Sequence, residues 1–369
     1  MLIHSNPMNP ILKYLKNFFA SQRVIGGDKE LLGKIRADQI LQKLIDDQRV
    51  PGLAITVLKN NEVFFEKGYG FADVEQQTTI DPQNTIFRIA SVSKPIAAAA
   101  LATMVEEGQL DLDASIYRYV PYFPKKEFDF TLRQLAGHTA GIRGYRGGEY
   151  GLNKPLGIKE SLALFQNDDL LFEPGNGFQY TSFDWVLISL AMQEVSGMPF
   201  AEYVQEKILK PYGLKNTFPE VPGDLPPNCT TFYSKGRLGF RKAIPVNNAY
   251  KLAGGGYLST ASDIARFGQV YLDFKFRDNK TQSQFLTSGV INGTPTYYGL
   301  GWQVTQDKMG RRYYGHVGNG VGGYAVFYVY PEQDMVFSIM INCTNPGVLD
   351  TLEEVISILI GDVDGTALA

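Results

Sequence analysis

The chain has 369 residues, and its formal net charge of -3 comes from 35 basic and 38 acidic residues mixed along its length, without the basic run that a nucleic-acid partner requires. Two cysteines and three histidines are too few for a disulfide framework or a structural zinc site, so we expect metal-free chemistry with no cofactor, on a small-molecule or short-peptide substrate. No apolar stretch reaches the length of about 18 residues that spans a membrane. Self-association is possible.

The N-terminal segment 11–19 is rich in apolar residues, but Lys13 and Lys16 interrupt it where a signal peptide needs an unbroken apolar stretch. We therefore predict an amphipathic surface segment and no signal peptide in this sequence. Export by an upstream or degenerate signal stays an open alternative, so the compartment is not assigned.

The next elements are a helix and a β-hairpin. Residues 35–49 alternate apolar and charged positions at helical spacing, and Pro51 with Gly52 ends the pattern. Residues 53–58 and 63–70 have the composition of strands and are separated by a polar turn, which predicts a hairpin.

The middle of the chain shows helical periodicity interrupted by loops rich in Gly, Pro and Tyr. Helices are predicted at residues 97–107, 132–135, 159–165, 183–195 and 200–209.

Strands return near the C-terminus, at residues 311–316, 323–330 and 335–342, followed by a helix at 348–360. The simplest way to bury both groups of strands is one antiparallel sheet made from the two ends of the chain, with a helical insert between them. We therefore predict an α/β (α+β) fold. The predicted organisation is an N-terminal extension (1–34), one main domain (35–360) with a sheet portion at about 35–85 and 255–360 and a helical portion at about 86–254, and a C-terminal tail (361–369).

Ser91 and Lys94 stand at the predicted start of the first helix of this insert. Residues three apart on a helix face the same way, so the Lys94 amine would lie beside the Ser91 hydroxyl, and the helix N-terminus favours developing negative charge there. This arrangement can make a nucleophile. Tyr180, at a loop-to-helix junction, is a candidate to share a proton with Lys94.

A glycine-rich segment at 318–323 satisfies the spacing G-x-G-x-x-G, but a β-branched and aromatic strand follows it rather than a helix. We interpret it as a turn near a sheet edge and not as a nucleotide site. Just upstream, His316 and Gly318 are predicted to end a strand, where a polar side chain can lie beside exposed backbone N–H donors. For His138, fixing a turn is the favoured interpretation.

Taken together, these segments resemble the serine β-lactamase and penicillin-binding-protein-like hydrolases, close to class C β-lactamases and related esterases. The resemblance covers about residues 37–360. It is strongest to the mitochondrial serine β-lactamase-like protein and its bacterial relatives. The segments that carry it are 68–73, 87–94, 138–141, 172–180, 247–260, 298–302 and 316–318.

The resemblance implies a β-lactamase/transpeptidase-like fold and an acyl-enzyme formed on Ser91, with Lys94 and Tyr180 moving the proton. By the same resemblance, the backbone N–H groups of Ser91 and Asn319 would hold the oxyanion, and Ser182 and His316 would orient the substrate.

Two of these residues depart from the class C pattern, since Ser182 replaces an asparagine and His316 replaces a lysine. We therefore expect a small ester, amide or peptide substrate and weak or no β-lactamase activity. A β-lactamase or D-amino-acid-specific peptidase is the alternative, and a non-catalytic assembly or ligand-sensing protein is the alternative from another class.

Overall fold

Seven strands form the central antiparallel sheet of the computed structural model, which describes residues 29–237, 239–273 and 280–364. The predicted sheet built from both ends of the chain is confirmed. In spatial order its strands are β11 (Gln303–Gln306), β12 (Arg312–Gly320), β13 (Gly323–Tyr330), β14 (Met335–Ile341), β1 (Gly52–Lys59), β2 (Glu62–Asp73) and β3 (Thr78–Thr79).

The two ends of the chain meet where β1 pairs with β14. Leu53 lies opposite Ile341 in this pair and opposite Tyr69 in the β1–β2 pair. Every residue of β13 and β14 is buried, which explains why both strands are nearly continuous runs of apolar residues rather than alternating ones.

Shorter strands lie outside the central sheet, and several of them interrupt the middle of the chain that was predicted to be helical. Each spans only two to four residues, which is too short for period-two alternation to show in the sequence. They are β4 (Phe87–Arg88), β5 (Phe218–Pro219), β6 (Tyr233–Gly236), β7 (Gly239–Lys242), β8 (Tyr257–Ser259), β9 (Val290–Ile291), β10 (Thr294–Pro295) and β15 (Cys343–Thr344).

The predicted helices are present, except that residues 159–165 form a 3₁₀ turn, Glu160–Leu164, and that the helix Phe200–Val204 continues as a π turn, Gln205–Leu209. Side-chain caps define two of the helix starts. Thr131 forms a capping box with Gln134, and Thr260 accepts from the backbone of Asp263. The α-helices are α1 (Lys29–Asp46), α2 (Ser93–Glu106), α3 (Leu132–Ala136), α4 (Phe183–Ser196), α5 (Phe200–Val204), α6 (Leu252–Gly255), α7 (Ala261–Leu272), α8 (Lys280–Phe285) and α9 (Leu349–Asp364).

The helices that matter for the site pack on one another and on the sheet. α7 lies against β1, β13 and β14, while α2, α4 and α6 contact each other, and β12 contacts the turn that precedes α2. Their buried side chains belong to one hydrophobic core, which holds the start of α2 in a fixed position beside the sheet.

The chain divides into two compact units. Of the described residues, one unit holds those between 42 and 348, with the whole central sheet; the other holds residues 29–41 and 349–364, and within it Arg36 lies 3.5 Å from Glu354. No helix in the described parts of the chain is long and apolar enough to cross a membrane. The predicted amphipathic segment 11–19 and the tail after residue 364 lie outside the described residues, so the predicted domain boundaries stay predictions.

Candidate active site

Ser91 lies in a tight turn between β4 and α2. The turn begins at Ala90, whose left-handed backbone (φ 46°) costs a residue with a side chain roughly 1–3 kcal/mol. It continues as the 3₁₀ helix Ala90–Val92. Two hydrogen bonds hold it in place: Ser93 Oγ donates to Ala90 O (2.7 Å), and Tyr257 N donates to Ser93 Oγ (3.1 Å). The turn therefore presents Ser91, half-buried, at a cavity rather than within the helix.

Lys94, in the first turn of α2, is completely buried, and its amine lies beside the serine as the spacing predicted. Nζ is 3.1 Å from Ser91 Oγ, 3.3 Å from Ser182 Oγ and 2.6 Å from the carbonyl oxygen of Gly254. A side chain at residue 254 would not fit here, because its Cβ would lie 2.8 Å from Ser182 Cβ. The glycine thus allows α6 to bring its carbonyl to the amine.

Tyr180 reaches the same serine from the loop before α4. Its hydroxyl donates to Ser91 Oγ at 2.8 Å, and Lys94 Nζ lies 4.7 Å from the centre of its ring. The three residues predicted as the catalytic group are therefore in mutual contact, although Tyr180 lies far from the other two in the chain.

Burial sets the protonation of this group. It lowers the pKa of Lys94 well below the ordinary 10.5, with the charge of Lys251 acting in the same direction and Asp184 opposing it. Burial raises the pKa of Tyr180, and the hydrogen bond with Ser91 only partly offsets this. Burial thus shifts Lys94 towards its uncharged amine and keeps the phenol of Tyr180 protonated. A neutral amine can donate to Gly254 O and Ser182 Oγ and accept the proton of Ser91.

The strand β12 runs directly beside the Ser91 turn. Gly318 makes this approach feasible, because a Cβ at that position would lie 2.1 Å from Ile89 O and 3.2 Å from Ser91 N. Asn319 follows, and both Asn319 and Ser91 line the cavity. The two residues predicted to supply oxyanion donors thus lie on adjacent elements, and their role stays a prediction.

The two residues predicted to orient the substrate have different surroundings. Ser182 lines the cavity and contacts Lys94. His316 is 1% exposed and is not among the cavity-lining residues. It lies within β12, which continues to Gly320 instead of ending at His316, because pairing with β13 persists through the glycines.

The contacts of His316 fix its tautomer. Nδ1 lies 2.7 Å from Val317 O, so it carries the proton, and Nε2 accepts from Tyr298 OH at 3.0 Å. Burial, with the nearby Lys94, lowers its pKa to about 3. The ring is therefore neutral, and its predicted contact with the substrate stays a prediction.

His138 lies behind the catalytic group. Its backbone is left-handed (φ 59°), which agrees with its predicted place in a turn. Its Nδ1 also lies 2.6 Å from Asp184 Oδ2, and its ring centre is 4.6 Å from that of Tyr180. Burial lowers the pKa of His138 and raises that of Asp184. Asp184 was missed in the sequence, because an acidic residue in the first turn of a helix is common.

The cavity at Ser91 has a volume of about 190 Å³, which suits a small substrate. Some residues of its wall were not predicted as site residues, because they lie on short strands, 3₁₀ turns and loops whose side-chain directions no periodicity reveals. They are Arg88, Tyr145, Tyr150, Asn248 and Lys251.

Arg88 and Glu220 form a buried ion pair at one side of this cavity. Arg88 donates to Glu220 through two nitrogens, at 2.9 and 2.5 Å, and to Val321 O at 2.7 Å, while Asn248 Nδ2 donates to Glu220 at 2.9 Å. The two charges neutralise each other and have their hydrogen bonds largely satisfied, as buried ion pairs require.

The fold and this arrangement define the class of protein, and the chain belongs to the beta-lactamase family, whose model matches residues 37–358. The resemblance recognised from the motifs is thereby confirmed.

One related sequence and two solved structures are similar to this chain. The chain is similar to the serine beta-lactamase-like protein LACTB, mitochondrial, of Mus musculus, at 28% identity over 80% of this chain and 72% of the mouse protein. Two solved structures share the fold: the octameric penicillin-binding protein homologue from Pyrococcus abyssi (24% identity, TM-score 0.75, 88% of this chain and 77% of that one) and the D-amino acid amidase from Ochrobactrum anthropi SV3 (20% identity, TM-score 0.75, 87% and 98%).

Proposed function

We propose that this member of the beta-lactamase family is a serine hydrolase that acts through an acyl-enzyme on a small ester, amide or peptide. The observation that carries the proposal is the contact of Ser91 Oγ with both the buried Lys94 amine and the Tyr180 hydroxyl at the wall of a cavity. A serine hydroxyl is a weak nucleophile until a base takes its proton, and Lys94 is that base.

In the first half of the reaction, Ser91 Oγ bonds to the acyl carbon while its proton passes to Lys94 Nζ. The carbonyl oxygen becomes an anion and is held by the backbone N–H groups of Ser91 and Asn319. Tyr180 then gives its proton to the leaving alcohol or amine as the bond to the acyl carbon breaks, and Lys94 returns the proton to Tyr180.

In the second half, a water molecule attacks the acyl-enzyme. Its proton passes to Lys94, its oxygen bonds to the acyl carbon, and Ser91 Oγ leaves and regains a proton. The product is a carboxylic acid, and the enzyme returns to its starting protonation state.

The structural likeness to a D-amino acid amidase supports including D-aminoacyl amides among the substrates to be screened. Because Ser182 and His316 stand where class C β-lactamases have asparagine and lysine, we propose weak or no β-lactamase activity. The Pyrococcus abyssi homologue is an octamer, and self-association of this chain is a proposal that analytical ultracentrifugation tests.

Covalent labelling separates the hydrolase from a non-catalytic protein on the same fold. We expect a fluorophosphonate probe to add once to Ser91, as seen by intact mass and peptide mapping, and 4-nitrophenyl acetate to be hydrolysed in the same preparation. A folded protein that neither takes the label nor releases 4-nitrophenol would overturn the proposal.

The pH dependence of the reaction tests the lowered pKa of Lys94. Because burial lowers this pKa well below 10.5, kcat/KM for 4-nitrophenyl acetate should become level well below pH 10 and should fall tenfold per pH unit only below the Lys94 pKa. An ordinary lysine would give a rise that continues to about pH 10. Such a continuing rise, after correction for spontaneous hydrolysis, would contradict the assignment of Lys94 as the base.

A further inference from the structure

Lys251 is a charged residue of the cavity wall that the proposed mechanism does not use. It ends the 3₁₀ turn Ala249–Lys251, directly before α6, whose Gly254 holds the amine of Lys94. Its side chain lines the same cavity as Ser91. The backbone that positions the base therefore also places a second amine beside the reacting centre.

The contacts of Lys251 leave its positive charge without a counter-ion. Nζ lies 3.4 Å from Tyr150 O, and the ring centres of Tyr145, Tyr150 and Tyr250 are 5.2, 5.9 and 5.5 Å away. Within residues 29–237, 239–273 and 280–364, no carboxylate lies within ion-pair distance of this amine.

The acidic group that influences Lys251 is already engaged elsewhere. Glu220 accepts two hydrogen bonds from Arg88 and one from Asn248, so its charge is balanced by the guanidinium. Arg88 is thus balanced by Glu220, whereas the positive charge of Lys251 has no balancing carboxylate among the described residues. Aromatic rings around an ammonium attract it but do not neutralise it.

We infer that Lys251 binds a carboxylate of the substrate, so that the preferred substrates are esters, amides or short peptides that carry a free carboxylate near the bond to be cleaved. This inference rests on the proposed hydrolase function and adds a substrate class to it. An ammonium flanked by aromatic rings, and partly removed from water, forms strong charge-assisted hydrogen bonds with a carboxylate. The cavity volume limits the distance between that carboxylate and the carbonyl that Ser91 attacks.

The carboxylate can belong to the acyl part or to the leaving group, and two matched substrate pairs distinguish these sources. For the acyl part, the 4-nitrophenyl monoester of glutarate is compared with 4-nitrophenyl valerate, its neutral counterpart. For the leaving group, 3-acetoxybenzoate is compared with phenyl acetate. In each pair the quantity of interest is the ratio of kcat/KM for the anionic substrate to that for the neutral one.

The variant Lys251→Met keeps the length of the apolar stem and removes the charge, and Lys154→Met, at an exposed lysine outside the cavity lining, is the matched control. We expect Lys251→Met to lower the ratio for one of the two pairs by roughly ten- to a hundredfold, mainly through KM, and Lys154→Met to leave it unchanged. If Lys251 acts only through its field on Lys94, both members of each pair lose activity equally, and the inference is overturned.

The pH dependence of the same ratio gives an independent readout. Burial, together with Arg88 and against the pull of Glu220, lowers the pKa of Lys251 to about 8. Below that pH the amine is charged and attracts a carboxylate; above it the attraction is lost. The ratio should therefore fall through about pH 8 in the parent and stay flat in Lys251→Met. The other titratable groups near this amine are Lys94, Tyr145, Tyr150 and Tyr250, and changes at Lys94 cancel because both substrates need the same base.

Failure of this inference is distinguishable from failure of the proposed function. Hydrolysis of the neutral esters with an unchanged ratio would overturn the carboxylate site and leave the hydrolase intact. If no ester is hydrolysed, binding still decides: free glutarate or 3-hydroxybenzoate should raise the melting temperature of the parent more than that of Lys251→Met, and equal shifts would refute the site.

Discussion

Replacing Ser91 with alanine should reduce turnover of 4-nitrophenyl acetate to less than about 1% of the parent rate and abolish fluorophosphonate labelling, because no other hydroxyl is in contact with both Lys94 and Tyr180 among the described residues. The fold should persist. The substitution removes one half-buried hydroxyl, and Lys94 keeps its contacts with Ser182 and Gly254. We expect a change in the free energy of unfolding of at most about 2 kcal/mol.

Ser189→Ala is the matched control, because Ser189 is 1% exposed and donates to Trp185 O at 2.6 Å, away from the cavity lining. This variant should keep full activity. A Ser91→Ala protein with native circular dichroism that retains more than about 1% of the parent activity would show that another group is the nucleophile.

Lys94→Met should be nearly as damaging, with acylation by 4-nitrophenyl acetate slowed by at least about a hundredfold, because members of a group that act as a unit each account for most of the catalysis. Methionine preserves much of the buried volume, whereas Lys94→Ala also leaves a cavity. Comparing the two separates loss of the amine from loss of packing. Stopped-flow measurement of the 4-nitrophenol burst reports acylation directly.

Lys126→Met controls for removing an amine that is bound to carbonyl oxygens. Lys126 Nζ donates to Gln166 O (2.5 Å) and Asp168 O (2.7 Å), and it does not line the cavity. Its replacement should affect stability without slowing acylation. If Lys94→Met acylates at the parent rate, proton transfer from Ser91 must be assigned to another group.

The sequence predicted those parts of the fold and of the candidate site that leave a local pattern. Strand composition around a polar turn located β1 and β2, apolar runs located β13 and β14, and the three-residue spacing of Ser91 and Lys94 placed both on one face of a helix start. The contact of Tyr180 with Ser91 could not be predicted by a local rule, because the two positions lie far apart in the chain. Tyr180 was named from its loop-to-helix position and from the family resemblance, and its role stays a prediction.

Other features depend on contacts between distant segments and were therefore not predictable from local patterns. Lys251 ends a short 3₁₀ turn, and its place in the cavity depends on the packing of α6, which follows it, against α2. His316 is buried within β12, which continues past Gly318 to Gly320, where a propensity argument would end the strand. The pair of His138 and Asp184 joins a turn to a helix 46 residues away.

The pairing of β1 with β14 also affects how the chain folds during synthesis. Leu53 and Ile341 must meet for the centre of the sheet to close, although the ribosome makes one of them early and the other late. Contacts of such long sequence separation form slowly, since the entropy of closing a long loop is lost first. Until β14 emerges, the apolar edge of β1 has no partner, so the nascent chain exposes a surface prone to aggregation. Slow translation at low temperature and the presence of holding chaperones should therefore raise the yield of soluble protein.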